Sequence, residues 1–469
     1  MKKIIIPIAT LAAVGLIGPK VTGNGFNSSL DSFIESVNAN PGYTATIDSR
    51  SIGWFSTEAV LTFGLPTDMY EDLGLSASDI AELSDTMSFT LNIEAQHGPV
   101  LTLNGFGLGL SAFKSTSNED TFREYLDYAA DKRFYSLAGE VGLFGGTSYT
   151  DAIPSFSVNA ENNNGNDVLF SGWNGVGTDG DSSTYSGEMA EFTVVGEGND
   201  LKVADVKLDL NIELPLSEVL NNVFYNSSST FSVGSVVLNM PVEEIGFDMH
   251  NVVVDFISTT SKDAALMDMD INYAIESLSA PEFKAKELVV KTEINNLERV
   301  LFETLQELGN DPLQMEAAMQ DLMENKLLPQ LAANPEINIT ELSGSINGGT
   351  IDAKVLTKLQ GIEEMPTMLE DPSFWISKAI LDADINMDKT MAMYVGSQVV
   401  ASQMAADPST SGMSDDEIMQ IASQQVEGML GMFAAQGMLV VSEEGDYSMT
   451  FKLENGEALL NGNPMPLPL

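Results

Sequence analysis

The feature that most constrains this chain is alternation of apolar and polar residues, the period of a half-buried strand, sustained from about residue 40 to 295. Phe89, Leu91, Ile93 and Ala95 share one face against Thr90, Asn92, Glu94 and Gln96. Val206, Leu208, Leu210, Ile212 and Leu214 oppose Lys207, Asp209, Asn211 and Glu213, and Met267, Met269, Ile271, Tyr273 and Ile275 oppose Asp268, Asp270 and Asn272. Strands with one wet face suit antiparallel sheet, because parallel strands buried on both faces read as continuous apolar runs. The acidic residues are then the solvent face. Clusters such as Asn162-Asn163-Asn164-Gly165-Asn166 and Asp179-Gly180-Asp181-Ser182-Ser183 supply the turns between strands.

The period changes near residue 297. Leu297, Val300, Leu301, Leu305 and Leu308 have helical spacing, and Asn310-Asp311-Pro312 opens a second helix carrying Met315, Met319, Leu322 and Met323. A further helix is expected over Lys389 to Ala406. Another starts at Ser414, where Ser414-Asp415-Asp416-Glu417 reads as a capping box; Ile418, Ile421, Met429, Met432 and Phe433 form its stripe and Gly437 ends it. The tail returns to strand, with Tyr447, Met449, Phe451 and Leu453 alternating before an Asn455-Gly456 hairpin turn. Sixteen of the 24 methionines follow residue 300, and their spacing reads first as core packed on sheet, secondly as an adaptable apolar surface.

Composition limits the partners. The 68 acidic against 21 basic residues leave a formal charge of −47, which repels phosphate and excludes nucleic acid. Hydrophobic residues at 43% supply a core that a disordered acidic chain lacks. With no cysteine, disulfides, thiolate metal sites and cysteine nucleophiles are excluded, and two histidines exclude a histidine-rich metal centre.

At the amino end, Lys2 and Lys3 precede an apolar run from Ile4 to Gly18, followed by Pro19, Lys20 and the small polar stretch Val21 to Gly25. This is an export signal. Fifteen residues at about 1.5 Å rise span roughly 22 Å against the ~30 Å hydrocarbon core, so a cleaved signal peptide competes with a membrane anchor.

The chemical motifs reduce to bland readings. Gly175-Val176-Gly177-Thr178-Asp179-Gly180 has the Gly-x-Gly-x-x-Gly spacing, but no helical pattern follows and two aspartates would face a pyrophosphate, so it reads as a mobile loop. Ser111 and Lys114 fit Ser-x-x-Lys without its companion elements. His97 closes a strand before Gly98-Pro99, and His250 precedes Val252-Val253-Val254; both read as structural. Asp179, Asp181 and the run Asn162 to Asp167 offer oxygen ligands of the calcium type, at spacings that miss the EF-hand loop.

Four blocks in order resemble a known group. They are Thr22-Gly23 with Gly42-Tyr43 to Ser49 and Ile52-Gly53-Trp54-Phe55-Ser56-Thr57; His97-Gly98-Pro99; Leu288 to Leu308, read as strand, Asn295-Asn296-Leu297 turn and helix; and Tyr447 to Pro466 with Asn455-Gly456 and Leu460-Asn461-Gly462. Together they resemble the YdgA-like bacterial family of unknown function (domain-of-unknown-function family 945). The resemblance implies a protein held in the inner membrane of a Gram-negative bacterium by an uncleaved amino-terminal helix, its body in the periplasm. It carries over no site residues.

The expectation is an α+β protein: a signal anchor or cleaved signal over residues 1–25, a β-rich periplasmic region over 26–296, and a mixed helical region with a terminal hairpin over 297–469, its helices packed on extended antiparallel sheet. No catalytic, cofactor-binding or metal-binding residue and no cofactor is assigned. The function expected is envelope binding or assembly without catalysis, the partners being the membrane through the amino-terminal segment, envelope proteins or lipid, and a second copy of the chain. A periplasmic carrier of lipid or another hydrophobic ligand is the alternative, motivated by one-faced strands and Met-rich helices. A hydrolase would need a cleft with two carboxylates about 5 to 9 Å apart.

Overall fold

The computed structural model describes residues 24–38, 44–64, 89–118, 122–123, 125–158, 165–196, 198–219, 224–240, 245–262, 265–281, 283–301, 322, 327–366, 371–406 and 413–467. The apolar run Ile4 to Gly18 of the expected anchor lies outside these residues, as do Leu305 and Leu308 of the helix expected from Leu297 and Met315, Met319 and Met323 of the next; Leu297 still belongs to a strand, and residues 299–301 are helical. The chain divides into two compact units, one of residues 1–234 and 305–315, the other of 235–304 and 316–469.

In the first unit, helix α1 (Asn24–Asn38) precedes β1 (Thr44–Ile52), β2 (Ser56–Gly64) and β3 (Phe89–His97). A small hairpin of β4 (Val100–Leu101) and β5 (Gly107–Leu108) leads to β6 (Ser111–Ser117), β7 (Leu126–Tyr128), β8 (Ser136–Val141) and β9 (Thr147–Ile153). Next come β10 (Phe156–Val158), β11 (Asp167–Phe170), β12 (Trp173–Asp179), β13 (Ser183–Val195) and β14 (Asp200–Ile212). The pairing is antiparallel throughout, in the order β1, β2, β3, β6, β8, β9, β12, β13, β14. Strand β11 extends the same flank of β13 and pairs with β10, which pairs with β7.

Alternation places the core as the sequence predicts: Leu91, Ile93 and Ala95 are buried and Asn92 and Glu94 exposed. Leu30, Phe33 and Val37, at helical spacing on α1, pack on that apolar face together with Leu61 and Leu137. Asn38 closes the helix onto β1, its Nδ2 donating to the Ala45 carbonyl at 2.9 Å and its Oδ1 accepting from the Ala45 N–H at 2.7 Å.

The Gly175–Gly180 motif needs correction. It is strand β12, not a loop, with only residues 180–182 forming the turn. The alternation escapes notice because glycines occupy the inward positions, and neighbouring aromatic rings fill the space. A Cβ on Gly177 would lie 2.2 Å from the Tyr149 ring, one on Gly175 2.3 Å from Tyr185 Oη, and one on Gly187 2.2 Å from the Trp173 ring. Gly139 stands in the same relation to Phe113, at 2.3 Å.

Strand β15 (Ser227–Met240) crosses the boundary between the units. The second unit contains β16 (Ile245–Thr260), β17 (Leu266–Ala280), β18 (Phe283–Glu298), β19 (Glu336–Ile346), β20 (Gly349–Leu359) and β21 (Ala379–Met387). Helices α2 (Lys389–Ala406) and α3 (Asp415–Ala435) follow, then β22 (Val440–Val441), β23 (Tyr447–Glu454), β24 (Glu457–Leu460) and β25 (Asn463–Met465). Antiparallel pairing runs β16, β17, β18, β19, β20, β21, β23, β24, β25. Strands β19 to β21 lie inside the region the sequence assigned to helices. Strand β18 runs on to Glu298 through Asn296 at φ +61°, where a turn was expected.

Helix α2 begins and ends where the period predicted, and α3 carries the predicted cap: Ser414 Oγ accepts from the Glu417 N–H at 3.3 Å while Glu417 Oε2 accepts from the Ser414 N–H at 3.0 Å. The two helices pack through Val400, Ala401, Ile418, Ala422 and Val426. The tail forms the expected hairpin, with Asn455 at φ +53° and Gly456 at +79°, the two positive values a type I′ turn requires.

Candidate functional site

The most perturbed side chains surround Asp151 on β9, which is 5% exposed. Tyr185 Oη donates to its Oδ1 at 3.0 Å, and Trp173 Nε1 donates to Tyr185 Oη at 2.8 Å. Burial raises the Asp151 carboxyl above the ordinary range, partly offset by the Tyr185 hydrogen bond. The same burial, reinforced by the nearby carboxylate, pushes the Tyr149 and Tyr185 phenols well up. The glycines of β12 and β13 are what admit these rings, so the cluster is one construction: sheet backbone, aromatic layer and an internal acid. Enclosed as it is, it organises the core.

His97 is 4% exposed at the end of β3, its Nε2 3.0 Å from Thr57 Oγ1, which also accepts from Asn27 Nδ2 at 3.3 Å. Burial holds its imidazole below the ordinary histidine range. The residue thus pins the start of α1 to β2 and β3. His250 stands half exposed on β16, Nε2 2.8 Å from Asp248 Oδ1. Ser111 and Lys114, three apart on β6, point to opposite faces and cannot act together. Asp179 turns inward, its Oδ1 accepting from Ser183 Oγ at 2.7 Å and from the Leu216 N–H at 2.9 Å. Of the run Asn162 to Asp167, Asn162–Asn164 lie outside the described residues. Among the described residues no group of three acids or histidines is placed to hold a metal ion.

Two open surfaces remain. On the wet face of β12 to β14 and the start of β15, a groove of about 340 Å³ is lined by Val176, Thr178, Thr184, Ser186, Asp209, Asn211, Ser228 and Thr230. Tyr185 and Leu210 line it too, so hydroxyl and amide groups share a mainly apolar wall with Asp209 as the one carboxylate. The second surface is apolar and belongs to the second unit. Register aligns Phe256, Ile271, Thr292, Ile339, Val355, Ala383 and Phe451 in one row across β16, β17, β18, β19, β20, β21 and β23. The adjacent row on the same face is Val254, Tyr273, Val290, Leu342, Ala353, Ile385 and Met449. Six spacings of about 4.8 Å give the face a width of about 29 Å.

That face is unequally covered. Helix α2 packs on β20 and β21, so closely that a Cβ on Gly349 would lie 2.4 Å from the Met391 backbone nitrogen. Farther along, the row members on β16 to β19 are partly exposed, Tyr273 reaching 48%, and Ile337, beside the rows on β19, is 58% accessible. The sequence shows the alternation of β17 and β23 but not that of β19 to β21, and alternation in any case identifies an apolar face without saying what covers it.

Among the described residues no helix is long and apolar enough to cross a membrane. No curated protein and no solved structure matches the chain. A family model described as a bacterial protein of unknown function (DUF945) matches residues 1–468. The chain, matched over nearly its whole length, belongs to the DUF945 family of bacterial proteins of unknown function.

Proposed function

We propose that this is an exported protein, held in the inner membrane of a Gram-negative bacterium by its amino-terminal segment with its body in the periplasm, and that it acts by binding rather than by catalysis. The partly covered apolar face carries the reading, and its chemistry favours an acyl chain as ligand: two rows about 29 Å long, aliphatic and aromatic but for Thr292, offer dispersion contacts. The export signal at Lys2 to Gly18 supports the location. The bacterial family is consistent with it.

Native mass spectrometry of the full chain, extracted gently from membranes, tests the proposal against the same sample denatured. Lipid-sized adducts lost on denaturation are expected, and Ile271→Glu together with Tyr273→Glu should abolish them. A consistently empty monomer would sink the ligand class. An empty oligomer broken by the same substitutions would turn the face into an assembly surface, the second reading the same observation supports.

A further inference from the structure

The register of the first unit brings several turns to one end of its sheet. The register pairs Ile52–Thr57, Ser56–Gln96, His97–Ser111, Ser111–Val141, Val141–Thr147, Thr147–Asp179, Asp179–Ser183 and Ser183–Ile212 mark that end. Beyond them lie the β1–β2 turn at 53–55, the β3–β6 connection at 98–110 with its β4–β5 hairpin, and the β8–β9 turn at 142–146. None of these three segments contains a charged residue, in a chain that is 19% charged and carries −47. Instead they expose Trp54 at 95%, Phe55 at 71%, Phe106 at 85%, Leu108 at 62% and Phe144 at 103%. Five large apolar side chains on neighbouring turns are far from the scattered single exposures normal on a soluble surface.

The turns are held in place. Gln96 Oε1 accepts from the N–H groups of Thr102 and Leu103 at 2.7 and 2.9 Å, and Asn104 Nδ2 donates to the carbonyls of Phe113 and Gly139 at 3.0 Å each. Gly142 N–H donates to the Gly146 carbonyl at 2.8 Å, closing the turn that presents Phe144.

The occupant follows from where the chain leads. Helix α1 starts at this end, because Asn27 reaches Thr57 and Thr57 reaches His97, whereas Asn38 reaches Ala45 at the opposite end of β1. The described chain therefore begins beside the uncharged turns, separated in the sequence by the five residues 19–23 from the apolar run Ile4 to Gly18. We propose that these three turns form a bilayer-contacting rim, whose Trp and Phe tips insert at the headgroup boundary of a zwitterionic membrane next to the amino-terminal segment. Trp and Phe favour that depth, where an apolar ring body and a wet surrounding coexist. Uncharged tips avoid the repulsion that anionic lipid would exert on the rest of this acidic chain. The proposal rests on the membrane-held reading above, and the experiment separates the two.

The native sequence has no cysteine, so a single introduced thiol reports one position. Full-length Phe106→Cys and Phe144→Cys variants, each altering an exposed side chain, carry an environment-sensitive fluorophore and are reconstituted with phosphatidylcholine vesicles containing a nitroxide lipid. Asn199→Cys, in the β13–β14 turn at the opposite end, is the reference. Flotation first establishes that each protein is vesicle-bound. The rim labels should then be quenched at least about twofold more strongly than the Asn199 label, as expected for groups at headgroup depth. In the wild-type chain, Trp54→Phe should remove most of the quenching of tryptophan emission by brominated lipid. Floating protein whose rim labels are quenched no more than the reference overturns the rim while leaving the anchor standing. Protein that fails to float overturns both, and rim labels that shift only with protein concentration would assign the turns to a protein partner and overturn the bilayer.

Discussion

At the residue scale, the glycines of β12 and β13 are the positions least tolerant of change. Gly177→Ala would drive a methyl group into the Tyr149 ring, which neighbouring strands hold in place, so a loss of roughly 1–3 kcal/mol is expected in urea unfolding. Gly180→Ala, with nothing within 4 Å of the added carbon, should leave the midpoint unchanged. Asp151 gives a prediction in pH. Its folded-state carboxyl is raised above the ordinary 3.8, so the native state holds the extra proton between those two values and stability from this group declines as pH rises through that window. Asp151→Asn keeps an acceptor for Tyr185 and removes the titration. The wild type should therefore lose stability relative to Asp151→Asn as pH rises from the ordinary 3.8 through the raised folded-state value, and a difference independent of pH would refute the linkage.

At the scale of elements, the Ser414–Glu417 capping box is the clearest handle. Ser414→Ala should lower stability by about 1 kcal/mol through the frayed first turn of α3, read by thermal unfolding. This element was legible in the sequence, as were α2 and the Asn455-Gly456 hairpin, because caps and positive-φ turns are local chemistry written in adjacent residues. Strand β12 was not legible: the two middle ones of its four inward positions are Gly175 and Gly177, the last is Asp179, and the apolar surface at the glycines comes from Tyr149 and Tyr185 on other strands. Strands β19 to β21 were lost to the helical methionine spacing on either side of them. The exposed turns at 53–55, 98–110 and 142–146 each read as ordinary connections, and only strand register, which is long-range pairing, places them side by side. For the same reason the apolar face of the second unit was legible only in strands such as β17 and β23, and is located by seeing where α2 stops covering it.

At the scale of the whole molecule, the charge of −47 sets the response to salt. Like charges within each compact unit repel, and raising ionic strength from 0.01 to 0.1 M shortens their reach from about 30 to about 10 Å. The midpoint of thermal unfolding should rise over that interval by calorimetry, and a flat response would refute this repulsion. The carboxy-terminal strand bears on the protein's behaviour at high concentration. Strand β25 is three residues long, pairs only with β24 among the described residues, and places Pro464 opposite Leu459. Proline offers no N–H to a newcomer, and three residues give little template. A ladder of this length would otherwise recruit free strands into fibres, so this stub lets neighbouring molecules crowd one another without zipping together.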